Sequence, residues 1–156
     1  MPSQQNAKWP TLSISEEDNA RVKELQKLPG VFRNVESRDV LMTAAAIATK
    51  MKLPASVQAK NSGTDIIHTA ILNSEPLTQY RQFMILIYCI TQSDGTDLTN
   101  MSDIKAIVDN FKDYAHRGLL YLSEKCKELN GNSELLAQYG EALASLKSEL
   151  RADTKI

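Results

Sequence analysis

This sequence is short of the residues from which catalytic and metal sites are usually built. It has two histidines, His68 and His116, and two cysteines, Cys89 and Cys126. None stands at metal-ligand or redox spacing from another, and a zinc site needs three or four such donors. No glycine-rich phosphate loop, GxSxG or HExxH occurs. Pairs of carboxylates such as Asp109 and Asp113, four apart, read as the solvated side of an amphipathic helix. The expectation is a chain with no catalytic residues, no metal and no cofactor. Its two thiols read as one buried and one half-exposed.

Other absences bound the architecture. Six glycines and five prolines in 156 residues leave no low-complexity tract. The polar opening MPSQQNAKWP has nothing like a secretory signal, and the longest apolar run, FMILIYCI from Phe83 to Ile90, is eight residues. A membrane span needs about 20. The protein is therefore expected in the cytoplasm, away from membranes. Net charge is −1, so no global field draws it to a polyanion. Residues 1 to 60 nevertheless hold nine Lys/Arg against six Asp/Glu, or +3, and the remainder nine against thirteen, or −4. If any part meets nucleic acid, it is the first sixty residues.

What is present describes a single, mostly α-helical domain of about six helices over residues 9–152, with a flexible tail at 1–8, a short tail at 153–156 and a possible N-terminal strand. Leu12 and Ile14 alternate with Thr11 and Ser13, as a short strand requires, and Pro10 confines it to an edge. Ser15-Glu16-Glu17-Asp18 caps a first helix in which Val22, Leu25 and Leu28 recur at helical spacing as far as Pro29-Gly30. Ser37 is the expected cap of a second, alanine-rich helix over Arg38 to Lys52, ended by Leu53-Pro54. Thr64-Asp65 is expected to open a short helix with Ile66, Ile67, Ala70 and Ile71 inward. Leu77 to Gln92 follows, apolar nearly all round and expected in the middle of the core. A long helix from Ile104 to Asn130-Gly131 carries Gly118 in mid-course, which marks a kink or a close packing contact. Leu136, Tyr139, Leu143, Leu146 and Leu150 then form a 3-4-3-4 seam too short for an independent coiled coil, whose expected use is docking on the rest of the domain.

Two functional readings arise from the residues. Strand, capped helix, loop and capped helix is the order of a ribbon-helix-helix DNA-binding unit, in which Lys8, Thr11 and Ser13 would meet bases and phosphates, aided by Arg33, Arg38, Lys50 and Lys52. Alternatively the strand merely leads into a helical bundle, and the near-neutral charge and leucine seam mark a protein-interaction subunit. Either the strand or Leu143, Leu146 and Leu150 could also pair two chains as a homodimer. The cluster Tyr114, His116 and Arg117, in YAHRGL, is the densest group of functional-looking side chains. The preferred reading of it is a helix surface packing its aromatic inward.

The segment VKELQKLPGVFRNVESRDVLMTAAAIATKMKLP, Val22 to Pro54, resembles the opening of small proteins associated with Dnd systems, the bacterial DNA-phosphorothioation defence loci. RQFMILIYCIT (Arg81 to Thr91) and VDNFKDYAHRGLLYL (Val108 to Leu122) are similar to that family's apolar helix and its Tyr-Ala-x-x-Gly helix, in the same order. The resemblance covers roughly Val22 to Lys125, and the polar tail before Trp9 and the seam after Asn130 depart from it. It implies a non-catalytic accessory of an antiphage defence system, a partner of larger nucleases, helicases or ATPases, with no catalytic residues to carry over.

Overall fold

A computed structural model of the chain describes residues 8–28, 32–56, 63–92 and 104–128. These are mostly helical. Strand β1 (Leu12–Ile14) leads to α1 (Glu16–Lys27) and α2 (Ser37–Met51); strand β2 (Thr64–Ile67) and a one-turn helix α3 (Thr69–Leu72) follow, then a 3₁₀ turn (Glu75–Leu77), α4 (Thr78–Thr91) and α5 (Ile104–Glu128). No described helix is long and apolar enough to cross a membrane.

The N-terminal strand finds its partner within the chain. β1 and β2 pair antiparallel, Leu12 opposite Ile67 and Ile14 opposite Thr64, with an irregularity between Leu12 and Ser13. Residues 64–67, expected as helix, are a strand: three of the four are β-branched, and the unpaired groups of β1 reward an extended neighbour. Glycine is required at Gly63, where a Cβ would overlap the Ile14 carbonyl oxygen. Asn73 fastens the start of β1, accepting from Trp9 N–H and donating to Trp9 O, both at 2.9 Å. Ile71, expected inward, is exposed, because only one turn of helix forms there and Leu72 takes the buried place.

Ser15 caps α1 as its sequence indicates, its hydroxyl accepting from Asp18 N–H. Helix α2 starts one residue before expectation, with Glu36 at the cap and Ser37 already helical; Lys52 closes it in the left-handed conformation (φ 52°). Nine consecutive residues of α2, Val40 to Ala48, are buried, so this helix and not α4 is the centre of the core. The reason is size. Ala44, Ala45, Ala46 and Ala48 let neighbours approach from several sides, and Gly118 of α5 lies so close that a Cβ there would overlap the Ala44 carbonyl oxygen. Of the two roles open to Gly118, the structure shows the packing contact. Ile107, Phe111, Ala115, Leu119 and Leu122 bury the rest of the α5 face. In α4, by contrast, only Met84 and Ile87 are buried.

Candidate interaction surface

The residues named for nucleic acid do not form one surface. Lys8 is exposed ahead of β1. Thr11 Oγ1 accepts from the backbone N–H of Thr69 at 3.0 Å, and the Ser13 hydroxyl donates to the Asp65 carboxylate at 2.7 Å. Both hydroxyls are thus engaged within the chain, one at the start of α3 and one across the sheet beside a carboxylate. Arg33 is exposed in the turn before α2. Arg38 has its Nε 2.7 Å from Glu36, a charge contact without an aligned hydrogen bond, and lies over the Tyr80 ring. Lys50 and Lys52 are exposed at the opposite end of α2, roughly 20 Å along the axis from Arg38 at 1.5 Å per residue. Leu143, Leu146 and Leu150 lie outside the described residues.

Where Arg38 stacks, Tyr80 of α4 donates to Asp39 of α2 at 2.7 Å. Burial, and then the hydrogen bond to Asp39 with that carboxylate's charge, push the Tyr80 phenol up to about 12. The pair fixes α4 to the start of α2.

The YAHRGL residues serve packing. Arg117 lies over Tyr114, its guanidinium carbon 4.1 Å from the ring centre, and donates to Asp113 and to the Leu53 carbonyl at 3.2 Å. It thereby places a cation and a donor just beyond the carbonyl end of α2, where the helix dipole favours both. Asp113 is therefore held by Arg117, while Asp109 is exposed.

His116 is buried, and its Nδ1 stands 2.9 Å from both carboxylate oxygens of Asp18, itself buried and bonded to Arg21 at 2.8 Å. This clasp joins α1 to α5 across 98 residues of sequence. Sequence reasoning took Asp18 for an ordinary first-turn acid; nothing local could have shown its partner. The imidazole Nε2 is buried without a hydrogen-bond partner. An Asp-oriented histidine is the arrangement of a general base, but that chemistry needs a reacting group within reach of Nε2, and this nitrogen is closed off from solvent. Among the described residues no group of three or more His, Cys, Asp or Glu could hold a metal ion.

The most distinctive surface is the outward side of α4. Leu86 and Ile90, four apart, form a short outward stripe, while Phe83, four residues before the buried Ile87, packs against the core. Phe83 and Leu86 are half-buried and Ile90 is 51% exposed. The half-buried Cys89 flanks the stripe. Arg81 is the only charged residue of the helix, and it is turned to the Leu72 and Ser74 carbonyls and the Thr78 hydroxyl. The face consequently carries no charge, and the exposed Gln79 and Gln82 lie beside Leu86 and Ile90. On α5, burial and the neighbouring Glu24 raise the Cys126 thiol pKa, which makes it a poor nucleophile. No protein-family model, curated protein or solved structure matches this chain.

Proposed function

We propose that this protein is a non-catalytic protein-interaction subunit that bridges or regulates a larger effector. By its resemblance to Dnd-associated proteins, that effector would be a nuclease, helicase or ATPase of an antiphage defence system. The observation that carries the reading is the uncharged outward side of α4, where Ile90 is 51% exposed beside the half-buried Leu86: an aliphatic side chain held in water by a packed helix is what a partner protein buries. The dispersal of the cations favours it further, since phosphate contacts sum only when they follow one backbone. The test is purification of the tagged chain from its own operon, with and without nuclease. The expected result is a large protein retained after nuclease treatment and lost when Leu86→Glu and Ile90→Glu are combined. Loss on nuclease treatment alone would overturn it.

The competing reading is DNA binding through Lys8, Thr11, Ser13, Arg33, Arg38, Lys50 and Lys52, and the exposure of Lys8, Arg33, Lys50 and Lys52 favours it. It requires binding that weakens steeply as salt rises and weakens again in a Lys50→Ala, Lys52→Ala variant. An absence of any shift with single- or double-stranded DNA at low salt would remove it.

A further inference from the structure

Among the described residues the buried ionisable side chains are His116 and Asp18, 5% and 6% exposed. The His116 Nδ1 stands 2.9 Å from both oxygens of the Asp18 carboxylate, which also accepts from Arg21 at 2.8 Å. A carboxylate accepts and cannot donate, so Nδ1 carries a hydrogen. The charge of the ring then depends on Nε2 alone. That nitrogen is buried and has no hydrogen-bond partner among the described residues.

The surroundings favour a bare Nε2 and hence a neutral ring. A proton there would make a buried N–H with no acceptor. It would also bring a second cation to a carboxylate that Arg21 already balances, leaving a buried cluster with net charge. The ring lies, besides, against the first turn of α1, to which Asp18 belongs, where the helix presents the positive end of its dipole. No other carboxylate offsets these costs. On α5 itself Lys112 and Asp113 stand one turn before His116, and Asp113 is held by Arg117. Of the other helices packed on α5, α2 buries Val40 to Ala48, with Thr43 the one polar member, and its Arg38 and Asp39 are engaged with Glu36 and Tyr80. The one charge of α4, Arg81, is turned to the Leu72 and Ser74 carbonyls.

We propose that the α1–α5 clasp is an acid-released latch, in which His116 is held as the neutral Nδ1–H tautomer and a proton arriving at Nε2 frees the first turn of α1 from α5. Once the clasp is open the ring meets water and carries the proton without these costs. The proton therefore binds the open form preferentially, and the closed form loses ground as pH falls. An imidazole in water takes its proton between about pH 8 and 5, so the latch acts over that range. Opening is local, because α1 is tied again at its far end, where Gln26 donates to the Val35 carbonyl at 2.8 Å. It uncovers Val22, which lies one turn beyond Asp18 and is fully buried in the closed form, and so gives the protein an apolar surface that a partner reaches only in acid.

Nuclear magnetic resonance of the full-length chain tests both halves. The ring nitrogens of its two histidines are followed from pH 7.5 to 5, with the exposed His68 as the internal reference. At pH 7.5 His116 should be neutral with its hydrogen on Nδ1, and a doubly protonated ring would overturn the proposal. Amide hydrogen exchange is measured over the same range, corrected for the intrinsic effect of pH. Amides of α1 should lose on the order of tenfold more protection than those of α2, since one proton shifts an equilibrium by up to tenfold per pH unit. Equal losses in both helices would mean that the whole domain is acid-labile and has no latch. His116→Asn keeps a donor near the Nδ1 position and cannot take up a proton, so the acid-dependent loss in α1 should vanish; its persistence would assign it to another group. Should that variant fail to fold, the unmodified protein still decides: protonation of His116 and loss of α1 protection must share one midpoint, and a protonated ring under a fully protected α1 would overturn the latch.

Discussion

Gly118 shows how much one missing carbon can decide. A Cβ there would meet the Ala44 backbone, which cannot swing aside as a side chain could, so α2 and α5 would have to part. Gly118→Ala, which ordinarily favours a helix, should here lower stability by about 2 kcal/mol, measured by urea unfolding. At the α1–α5 clasp, Asp18→Ala leaves His116 and Arg21 without their shared acceptor and should cost about 3 kcal/mol by the same measurement. Tyr80 gives a pH dependence with a defined sign. Its phenol ionises at about 12 in the folded chain and near 10 when unfolded. Its contribution is therefore intact below pH 10, where both states are protonated, and falls as pH rises from 10 to about 12, because the unfolded chain releases its proton first. Tyr80→Phe should flatten the alkaline decline over that window, and an unchanged slope would count against the buried Tyr80 phenol as its source.

Helix α4 has two sides with different consequences. Ile87→Asp puts an unpaired carboxylate at a buried position and should abolish the cooperative thermal transition. Phe83→Asp, at a half-buried position against the core, should cost less, and Ile90→Asp should leave the melting temperature within a few degrees. The ordering Ile87, Phe83, Ile90 is the checkable content; equal effects would mean that α4 is enclosed on both sides. Much of the helix pattern was legible locally: the Ser15 cap, the alanine face of α2 and the periodic α5 stripe each follow from neighbours within a turn or two. The hairpin was not. Thr64–Ile67 has the composition of either a strand or a short inward helix, and the choice turned on β1, about fifty residues away, needing hydrogen-bond partners.

At the scale of the whole molecule, the N-terminal segment is part of the core and not an appendage. Trp9, Leu12 and Ile14 are all buried. Deleting residues 1–14 removes three such side chains at about 2 kcal/mol each, a large share of a typical domain's 5–15 kcal/mol. The shortened protein should melt well below the full chain, as followed by circular dichroism, instead of simply releasing monomers from a strand-paired dimer. The reason for pairing two chains through this strand, burial of Leu12 and Ile14, is already met inside one. Composition and periodicity by themselves determined the helical class, most helix positions and the special status of Gly118, because capping, amphipathic spacing and glycine's cost act over a few residues. Tertiary structure alone decided that alanine-rich α2 would be central and the more apolar α4 peripheral. It also decided that Asp18 would meet His116 and that the seven polar residues named for DNA would be spread over the sheet and both ends of α2. Small side chains allow close approach on several sides and large ones do not, and which long-range partners meet depends on how the helices pack, to which no local window of sequence has access.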